Sequence, residues 1–357
     1  TTGYGMHARK ILKPLIDGGA TIKLIPDEDY IPPHLKIDDP YWKEQIEKSK
    51  SMPDNQAQVS FCIPNRARFI KGINTVFTSW ETNRLPNEWV PILNNADHVV
   101  FPSKAILEVA KNSGVTTPGM VISPSIPDVI PDDKLEVNEI PDDAVKFVFS
   151  GNFIPRKNFE QLLTAFYCAF SNVKDVGLII KTWAHDNSPN MKKHIADSMR
   201  HLSGKIRGIP NKPKISVIPD LLSEDQVTAL INSADVYVSL SRGEGYDYNM
   251  VLAMGMGKIV IGNDFLAHGD YMNKDNSMIV SHTLEPITDP TAPLYQSYQM
   301  WSSTNMEQMI QFMQIAYSLV KEKNSTMGAI AKKDVYWYRE SNNTPKIADV
   351  LRKVMVK

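Results

Sequence analysis

Residues 241–258 constrain the fold of this chain most strongly, because they place one carboxylate in a glycine-containing loop between an apolar strand and a helix. The segment is SRGEGYDYNMVLAMGMGK, and its loop carboxylate is Glu244. The preceding residues 236–240 are rich in strand-forming side chains, and residues 259–261 restart a buried strand. A strand, loop, helix and strand in this order are typical of α/β proteins, which bind ligands at the carboxyl end of the first strand. The segment therefore predicts a binding site of the kind in which α/β enzymes hold nucleotides.

The same segment resembles the signature of the retaining GT-B glycosyltransferases of the glycogen-synthase-like and sucrose-synthase-like group, S-R-x-E-G-F-G-L-P-x-x-E-A-M-A-x-G-K. In that family the first glutamate contacts the hydroxyls of the donor sugar and the second contacts the ribose. The resemblance implies the first role for Glu244. Leu252 replaces the second glutamate, and Asp-Tyr-Asn at 247–249 replaces Gly-Leu-Pro, so the motif is degenerate. Either another residue holds the ribose or nucleotide binding is weakened.

The resemblance also implies an α/β chain with the GT-B fold, two Rossmann-like domains that face each other across a cleft. A length of 357 residues exceeds what one core usually serves and fits two domains. The net charge of -1 gives no global attraction to nucleic acid or membrane. Cys62 and Cys168 cannot build a disulfide framework, so we expect a reducing, cytoplasmic compartment, with peripheral attachment to a membrane left open. No apolar run approaches the roughly 20 residues of a membrane span.

The start of the chain lacks the strand with which a Rossmann domain should begin. It opens at Thr1 with the sequence TTGYG, without Met, so we expect that a short preceding segment is missing. Residues 3–5 are then interpreted as the loop after the missing strand, 6–17 as a helix disturbed by Pro14, and 21–25 as the next strand. By the resemblance, Gly3 and Gly5 let backbone amides approach the diphosphate of the donor.

The rest of the first half alternates strands with helices, which predicts a parallel sheet. We expect strands at 59–63, 75–79, 98–101 and 120–123, and helices at 87–95 and 104–113. Residues 124–144 are rich in proline and have no periodicity, so they are interpreted as a linker. The predicted domains are an acceptor domain at 1–140, on which a C-terminal helix within 340–357 (346–356) packs back, and a nucleotide-sugar domain at 145–335.

The second half restarts with a strand at 145–149 and the loop SGNFIPRKN at 150–158. The next helix shows apolar residues at helical spacing, namely Phe159, Leu162, Leu163, Phe166 and Phe170. Further strands are expected at 176–180 and 215–218. Ser223 and Gln226 form a capping box that opens a helix before Ala234.

The chemistry of sugar transfer requires stabilising the negative charge on the departing phosphate, which a metal-free site does with cations and backbone amides. By the resemblance, Lys157 is the diphosphate lysine, in a loop that enters a helix. The family's arginine is here Asn152, and the neighbouring Arg156 is the candidate replacement. With no His/Cys cluster or Asp-x-Asp motif in the expected site, we expect no metal and no cofactor besides the nucleotide diphosphate sugar as donor.

Further donor contacts follow from the resemblance. The residues implicated are Gly243, Gly245, Tyr246, Asn249, His268 and Asp270. For His268 and Asp270 a polar surface turn is the alternative. The segment ETNRLPNEW, beginning at Glu81, resembles the family's E-T-D-R-L-P-x-x-W. Glu81 is a candidate contact to the donor or acceptor, or else a structural partner of Arg84. With Arg66 and Arg68, these residues form the expected acceptor side.

Residues 190–214 are strongly basic, with seven Lys or Arg against Asp197 alone. A solvated face, a polyanion such as DNA, and a membrane surface or phosphorylated lipid all stay open as explanations. Our interpretation is a retaining, metal-independent transferase of a hexose or pentose, acting on a hydroxyl of a glycan or lipid-linked sugar. The alternatives are transfer to hydroxylated bases of viral DNA, and a catalytically silent carbohydrate-binding or regulatory relative.

Overall fold

The computed structural model describes residues 3–26, 39–53, 56–184, 187–289 and 292–355. In chain order the elements are α1 (Gly3–Asp17), α2 (Pro40–Ser49), β1 (Ala57–Phe61), β2 (Ile73–Phe77), α3 (Trp89–Asn94), β3 (His98–Phe101), α4 (Lys104–Asn112), β4 (Gly119–Val121), β5 (Val145–Asn152), α5 (Phe159–Ala169), β6 (Val176–Trp183), α6 (Pro189–Lys205), β7 (Lys214–Ile218), α7 (Glu224–Asn232), β8 (Val236–Val238), α8 (Tyr248–Gly255), β9 (Ile259–Gly262), β10 (Met278–Ile279), β11 (His282–Pro286), β12 (Met300–Thr304), α9 (Met306–Glu322), α10 (Met327–Asp334) and α11 (Glu340–Val354).

The chain forms two compact units, and each is interrupted in sequence. The first unit comprises Thr1–Trp80, Arg84–Ile126 and Tyr338–Lys357. The second comprises Glu81–Asn83 and Pro127–Trp337. The short segment that carries Glu81 therefore packs with the residues after Ile126, although its neighbours in sequence belong to the first unit.

The first unit is built on a parallel sheet in the order β1-β2-β3-β4. The side chains of β2 are all buried, as expected of a strand covered on both faces. One side of this sheet is covered by α1 and α11, which contribute Ile11, Leu15, Ile347 and Val354 to a common core. The hydroxyl of Thr75 donates to the carbonyl of Val354 over 3.3 Å, so α11 is held to the sheet by a polar contact as well as by burial.

The strand expected at 21–25 is wrong. Residues 20–26, all described, are irregular, and Ile25 is 77% exposed. The amide of Leu24 donates to the hydroxyl of Ser49, and the Lys23 ammonium donates to the carbonyl of Met52. These polar groups of the segment are thus satisfied locally, by α2 and the turn after it.

The loop expected at 3–5 is also wrong, because Gly3 and Gly5 lie in the first turn of α1. This helix continues through Pro14 to Asp17, where its predicted end is confirmed. Strand β3 has its predicted bounds, whereas β1 and β2 begin and end two residues earlier than expected. The last helix starts earlier than expected, at Glu340, and Val356 lies outside the described residues.

The second unit is built on a parallel sheet in the order β10-β9-β8-β5-β6-β7. Strands β6 and β7 extend the sheet on one side of β5, and β8 returns to its other side. The carboxyl ends of β5 and β8 therefore flank the point at which the strand order reverses, where open α/β sheets bind ligands. The largest core of the unit packs α5, α6 and α9 against one face of this sheet.

Most elements of the second unit agree with the sequence predictions. Strands β5 and β6 begin at the predicted residues, and the capping box is present in full, since Ser223 and Gln226 bond reciprocally at the start of α7. Residues after Pro127 pack on this unit. Ile140 lies directly over Gly177, where a Cβ atom would approach its side chain to 2.5 Å.

An antiparallel hairpin, β11 and β12, extends the second unit beyond the parallel sheet. No sequence prediction covered it. Strand β11 contains Glu285 and Pro286, and its residues are half-buried or exposed, so it lacks the apolar pattern by which strands are recognised.

Candidate functional site

The candidate site is formed by the two chain segments that leave the sheet at its reversal point. After β5 the chain makes a short 3-10 turn at Pro155–Lys157 and enters α5 through Asn158, which adopts a left-handed conformation with φ 57°. After β8 the chain forms the loop with Glu244 and enters α8. This arrangement brings the two predicted catalytic segments to the same edge of the sheet.

Four charged side chains meet at this edge. The carboxylate of Glu244 is only 6% exposed and forms ion pairs with both Arg156 and Lys157. The Arg156 Nη1 atom lies 3.0 Å from Glu244 Oε2, and its Nη2 atom lies 3.5 Å from Glu81 Oε1. Two cations and two carboxylates thus balance each other in a buried cluster, which we call the Glu244 cluster.

Within the Glu244 cluster, the surrounding opposite charges stabilise the ionised forms of Glu244 and Arg156. Burial alone would raise the pKa of Glu244, but the positive charges of Arg156 and Lys157 outweigh it and hold this pKa well below the usual range. Burial would lower the pKa of Arg156, yet the carboxylates of Glu244 and Glu81 raise it above its ordinary value. The carboxylate and the guanidinium are therefore charged at neutral pH.

Two glycines allow the cluster to assemble. A Cβ atom on Gly243 would lie 2.1 Å from the carbonyl oxygen of Glu81, so only glycine permits this close approach of the two backbones. A Cβ atom on Gly151 would lie 3.1 Å from the Cδ and Cε atoms of Lys157, so this glycine leaves room for the lysine stem. The guanidinium of Arg156 also donates to the carbonyl of Gly243.

The loop after β9 lies against the Glu244 loop, with the amide of Ala267 donating to the carbonyl of Glu244 over 3.2 Å. His268 is buried here, not in a surface turn. Its Nδ1 atom lies 2.9 Å from the carbonyl of Asn263 and its Nε2 atom 3.1 Å from the carboxylate of Asp247. Both ring nitrogens therefore have a polar partner, which fixes the orientation of the ring. Asp270 ends the same turn.

Asp247 occupies a position where the family pattern has glycine, and it adopts the left-handed backbone, with φ 48°, that glycine would favour. Its carboxylate caps α8 by accepting from the amide of Met250 over 3.2 Å.

The other residues predicted for the donor site lie on α8 and beside it. In α8, Leu252 is 1% exposed, and the side chain of Asn249 donates to the hydroxyl of Ser150. Tyr246 is buried, and its carbonyl accepts from the hydroxyl of Tyr271. Asn152 ends β5 opposite Trp183.

The hairpin contributes residues that sequence reasoning missed. Arg242 pairs with Glu285 and stacks on Trp301, with its guanidinium carbon 5.1 Å from the ring centroid. Tyr295, in the loop between β11 and β12, lies close enough to the cluster for Glu81 and Arg156 to influence its hydroxyl, whose pKa is raised chiefly by burial. Arg242 lies in the motif at 241–258, so the sequence could have identified it as a site residue. Trp301 and Tyr295 lie in no motif, so the sequence could not.

The remaining candidate residues lie in the first unit. Gly3 and Gly5 are helical, Arg66 ends a short 3-10 turn, and the carbonyl of Arg68 accepts from the side chain of Gln58. Arg84 donates to the carbonyl of Asn112 at the end of α4. Glu81 belongs to the second unit, where it pairs with Arg156, so the alternative of a structural Glu81–Arg84 pair does not describe its contacts.

The basic stretch forms α6 and the chain that follows it. Several of its charges are paired: Lys192 with Asp220 at 2.6 Å, and Lys193 and Arg200 with Asp197 at 3.0 and 2.7 Å. Among the described residues, no group of three or more His, Cys, Asp or Glu side chains is arranged to hold a metal ion. No helix in the described ranges is long and apolar enough to cross a membrane.

No protein-family model matches the sequence, and no curated protein matches it. Solved structures do match. Sucrose-phosphate synthase from Thermosynechococcus elongatus aligns with a TM-score of 0.65 at 12% identity, over 99% of this chain and 94% of that chain. HepE of Anabaena, in complex with UDP and glucose, aligns with a TM-score of 0.56 at 13% identity, over 79% and 72%.

A third match is the pneumococcal O-GlcNAc transferase GtfA in complex with UDP and GlcNAc, with a TM-score of 0.54 at 13% identity, over 80% of this chain and 53% of that chain. This chain thus spans about half the length of GtfA. The likenesses show that the chain has the GT-B fold found in these glycosyltransferases, and the fold predicted from the 241–258 segment is confirmed.

Proposed function

We propose that this protein is a glycosyltransferase that takes a sugar from a nucleotide diphosphate donor, with UDP as the nucleotide. The observation that carries the proposal is the Glu244 cluster, which buries one carboxylate between two cations at the reversal point of a parallel sheet. The structures of HepE and GtfA, which share the fold, contain UDP together with glucose or GlcNAc.

The proposed division of roles follows from charge. Lys157 and Arg156 face the diphosphate and stabilise the negative charge that develops as the bond to the sugar breaks. The start of α5 adds backbone amides that favour an anion. Glu244 accepts hydrogen bonds from sugar hydroxyls, and its low pKa keeps it an acceptor over the whole working range.

In the Glu244 cluster both cations pair with Glu244. A bound diphosphate competes for them, which frees carboxylate oxygens for the sugar. The site stays preorganised because Gly243 and Gly151 fix the approach of the segments. We propose that transfer occurs with retention of anomeric configuration and without a catalytic metal, since Arg156 and Lys157 supply positive charge.

For the acceptor we propose a hydroxyl of a glycan or lipid-linked sugar. The basic stretch at 190–214 gives little support to a DNA acceptor, because Lys192, Lys193 and Arg200 are engaged in ion pairs. The proposal also keeps the other predicted contacts to the donor, which are Asn152, Gly245, Tyr246, Asn249, His268 and Asp270.

The test is release of UDP from UDP-glucose and UDP-GlcNAc by the parent protein and by two lysine variants. Lys157→Met should lower UDP release by at least about tenfold, equivalent to about 1.4 kcal/mol of transition-state stabilisation. Lys321→Met is the matched control, because Lys321 forms an exposed ion pair with Asp175 at 2.7 Å, beside the amino end of β6.

Lys321→Met should release UDP at the parent rate. Retention is read from the anomeric configuration of the first product by NMR. A parent protein that neither binds UDP nor hydrolyses a UDP sugar would overturn the proposed function. Equal activity of Lys157→Met and the parent would remove Lys157 from the site.

A further inference from the structure

Lys181 is a buried cation of the second unit that the proposed chemistry does not use. It lies in β6 and is 2% exposed. Its register partner on the neighbouring strand is Ser150, near the carboxyl end of β5. Side chains alternate along a strand, so Lys181 projects from the face opposite Leu178 and Ile180, which belong to the large apolar core.

The side chain of Lys181 runs toward the carboxyl edge of the sheet. Its Nζ atom lies 3.4 Å from the carbonyl oxygen of Thr182 and 4.4 Å from the ring centroid of Trp183, and both residues are further along the strand. On the adjacent strand, the hydroxyl of Ser150 accepts a 3.2 Å hydrogen bond from Asn249 in the first turn of α8. Lysine, serine and asparagine therefore form a polar row beside the reversal point.

The ammonium of Lys181 contacts the ring of Trp183 and the carbonyl of Thr182 but has no counter-ion among the described residues. Within the described part of the chain, no carboxylate lies within ion-pair distance of it, and its hydrogen bond to Thr182 is long. Burial lowers the pKa of Lys181 to about 8, against a smaller opposing effect of Asp220. Arg156, the other deeply buried cation of this unit, has two carboxylates. An unpaired buried charge disfavours folding, so its presence at a binding edge points to a ligand that supplies the missing anion.

We propose that Lys181 binds an anionic phosphate oxygen of the nucleoside diphosphate. This inference rests on the proposed function and adds a cation from β6 to those that follow β5. Lys157 passes alongside Gly151, and Lys181 pairs in register with the preceding residue, Ser150. Side chains of consecutive residues alternate, so Lys157 and Lys181 approach the carboxyl edge of the sheet from its two faces.

The test compares UDP and uridine as ligands of the parent, Lys181→Met and Lys258→Met by titration calorimetry. Lys258 is the matched control, because it is a part-buried lysine whose pKa is likewise lowered by burial. It differs in that it precedes β9, at the opposite edge of the sheet, and donates to the carbonyl of Asn232 over 2.8 Å. Lys181→Met should weaken UDP binding by at least about tenfold, equivalent to about 1.4 kcal/mol, and leave uridine binding within about twofold. Lys258→Met should bind both ligands like the parent.

Thermal unfolding separates a binding role from a structural one. Without ligand, Lys181→Met should unfold at the same temperature as the parent or higher, because a buried charge without a carboxylate partner is removed. Its stabilisation by UDP should be smaller. Parent-like UDP binding by Lys181→Met overturns this inference and leaves the proposed function intact. Equal losses for UDP and uridine overturn the phosphate assignment, and failure of the parent to bind UDP overturns both proposals.

Discussion

Replacing the carboxylate at the centre of the Glu244 cluster tests the electrostatic reasoning most directly. Glu244→Gln preserves the shape of the side chain and removes its charge. Arg156 then remains buried with Glu81 alone, 3.5 Å away. Removing one partner of a buried ion pair costs about 3–5 kcal/mol, and we expect the lower end, about 3 kcal/mol, because Glu81 still compensates Arg156.

The expected loss is large enough to measure by thermal unfolding. For a unit of this size about 3 kcal/mol corresponds to a decrease in Tm of about 6–12 °C. Glu285→Gln is the stability control, since Glu285 pairs with Arg242 but is more exposed, and it should cost less than about 1 kcal/mol. Turnover of Glu244→Gln with a nucleotide sugar should fall by at least about tenfold.

The pH dependence gives an independent check. The folded-state pKa of Glu244 lies below its ordinary value, so the stabilisation from its charge is complete above the unfolded pKa of about 4.3 and is lost as the pH falls through the folded pKa. The Tm difference between parent and Glu244→Gln should therefore be constant from pH 7 to 5 and narrow only at more acidic pH. Equal Tm values at pH 7, or a difference that changes between pH 7 and 5, would refute the reasoning.

Three further perturbations address other parts of the site. Gly151→Ala would place a Cβ atom 2.8 Å from the ring of Phe149 and 3.1 Å from the stem of Lys157, so it should displace both side chains and lower turnover. Gly204→Ala, where a Cβ atom meets nothing within 4 Å, should leave turnover unchanged; equal turnover in both variants would contradict this geometry. Leu252→Glu places a carboxylate in a fully buried position, so soluble folded protein should be lost; a folded variant with tighter UDP binding would instead show that the ribose lies at this position. Activity should survive excess EDTA after dialysis, and a loss that Mg²⁺ or Mn²⁺ restores would contradict metal independence.

The sequence predicted those elements whose pattern is local. Strands β5 and β6 are rich in apolar residues over short stretches, and the start of α7 is defined by neighbours in sequence, Ser223 and Gln226. Glu244 and Lys157 could be recognised because each lies in a motif. Their partnership with Arg156 was not predicted, because ion pairs across the sheet edge depend on which loops meet.

The wrong and missing predictions likewise concern contacts that the local sequence does not show. Residues 21–25 have a strand-like composition, but a strand also needs a neighbouring strand for its backbone hydrogen bonds. Here polar groups of the segment bond instead to α2 and the turn after it. The hairpin was missed because β11 pairs through its backbone with little apolar burial. The contact of Glu81 with Arg156 joins residues far apart in sequence, and nothing local indicates it.

The discontinuity of the first unit has a consequence for synthesis on the ribosome. The hydrogen bond from Thr75 to Val354 spans 279 residues, and Ile347 and Val354 complete the core that Ile11 and Phe77 begin. At about 5–20 residues per second, about 14–56 s pass between translation of the two ends of this bond. The second unit is synthesised entirely within that interval, so it can fold first. During this time the apolar side chains of α1 and β2 are not yet covered by α11. A nascent chain of this protein should therefore expose a chaperone-binding surface until α11 leaves the exit tunnel.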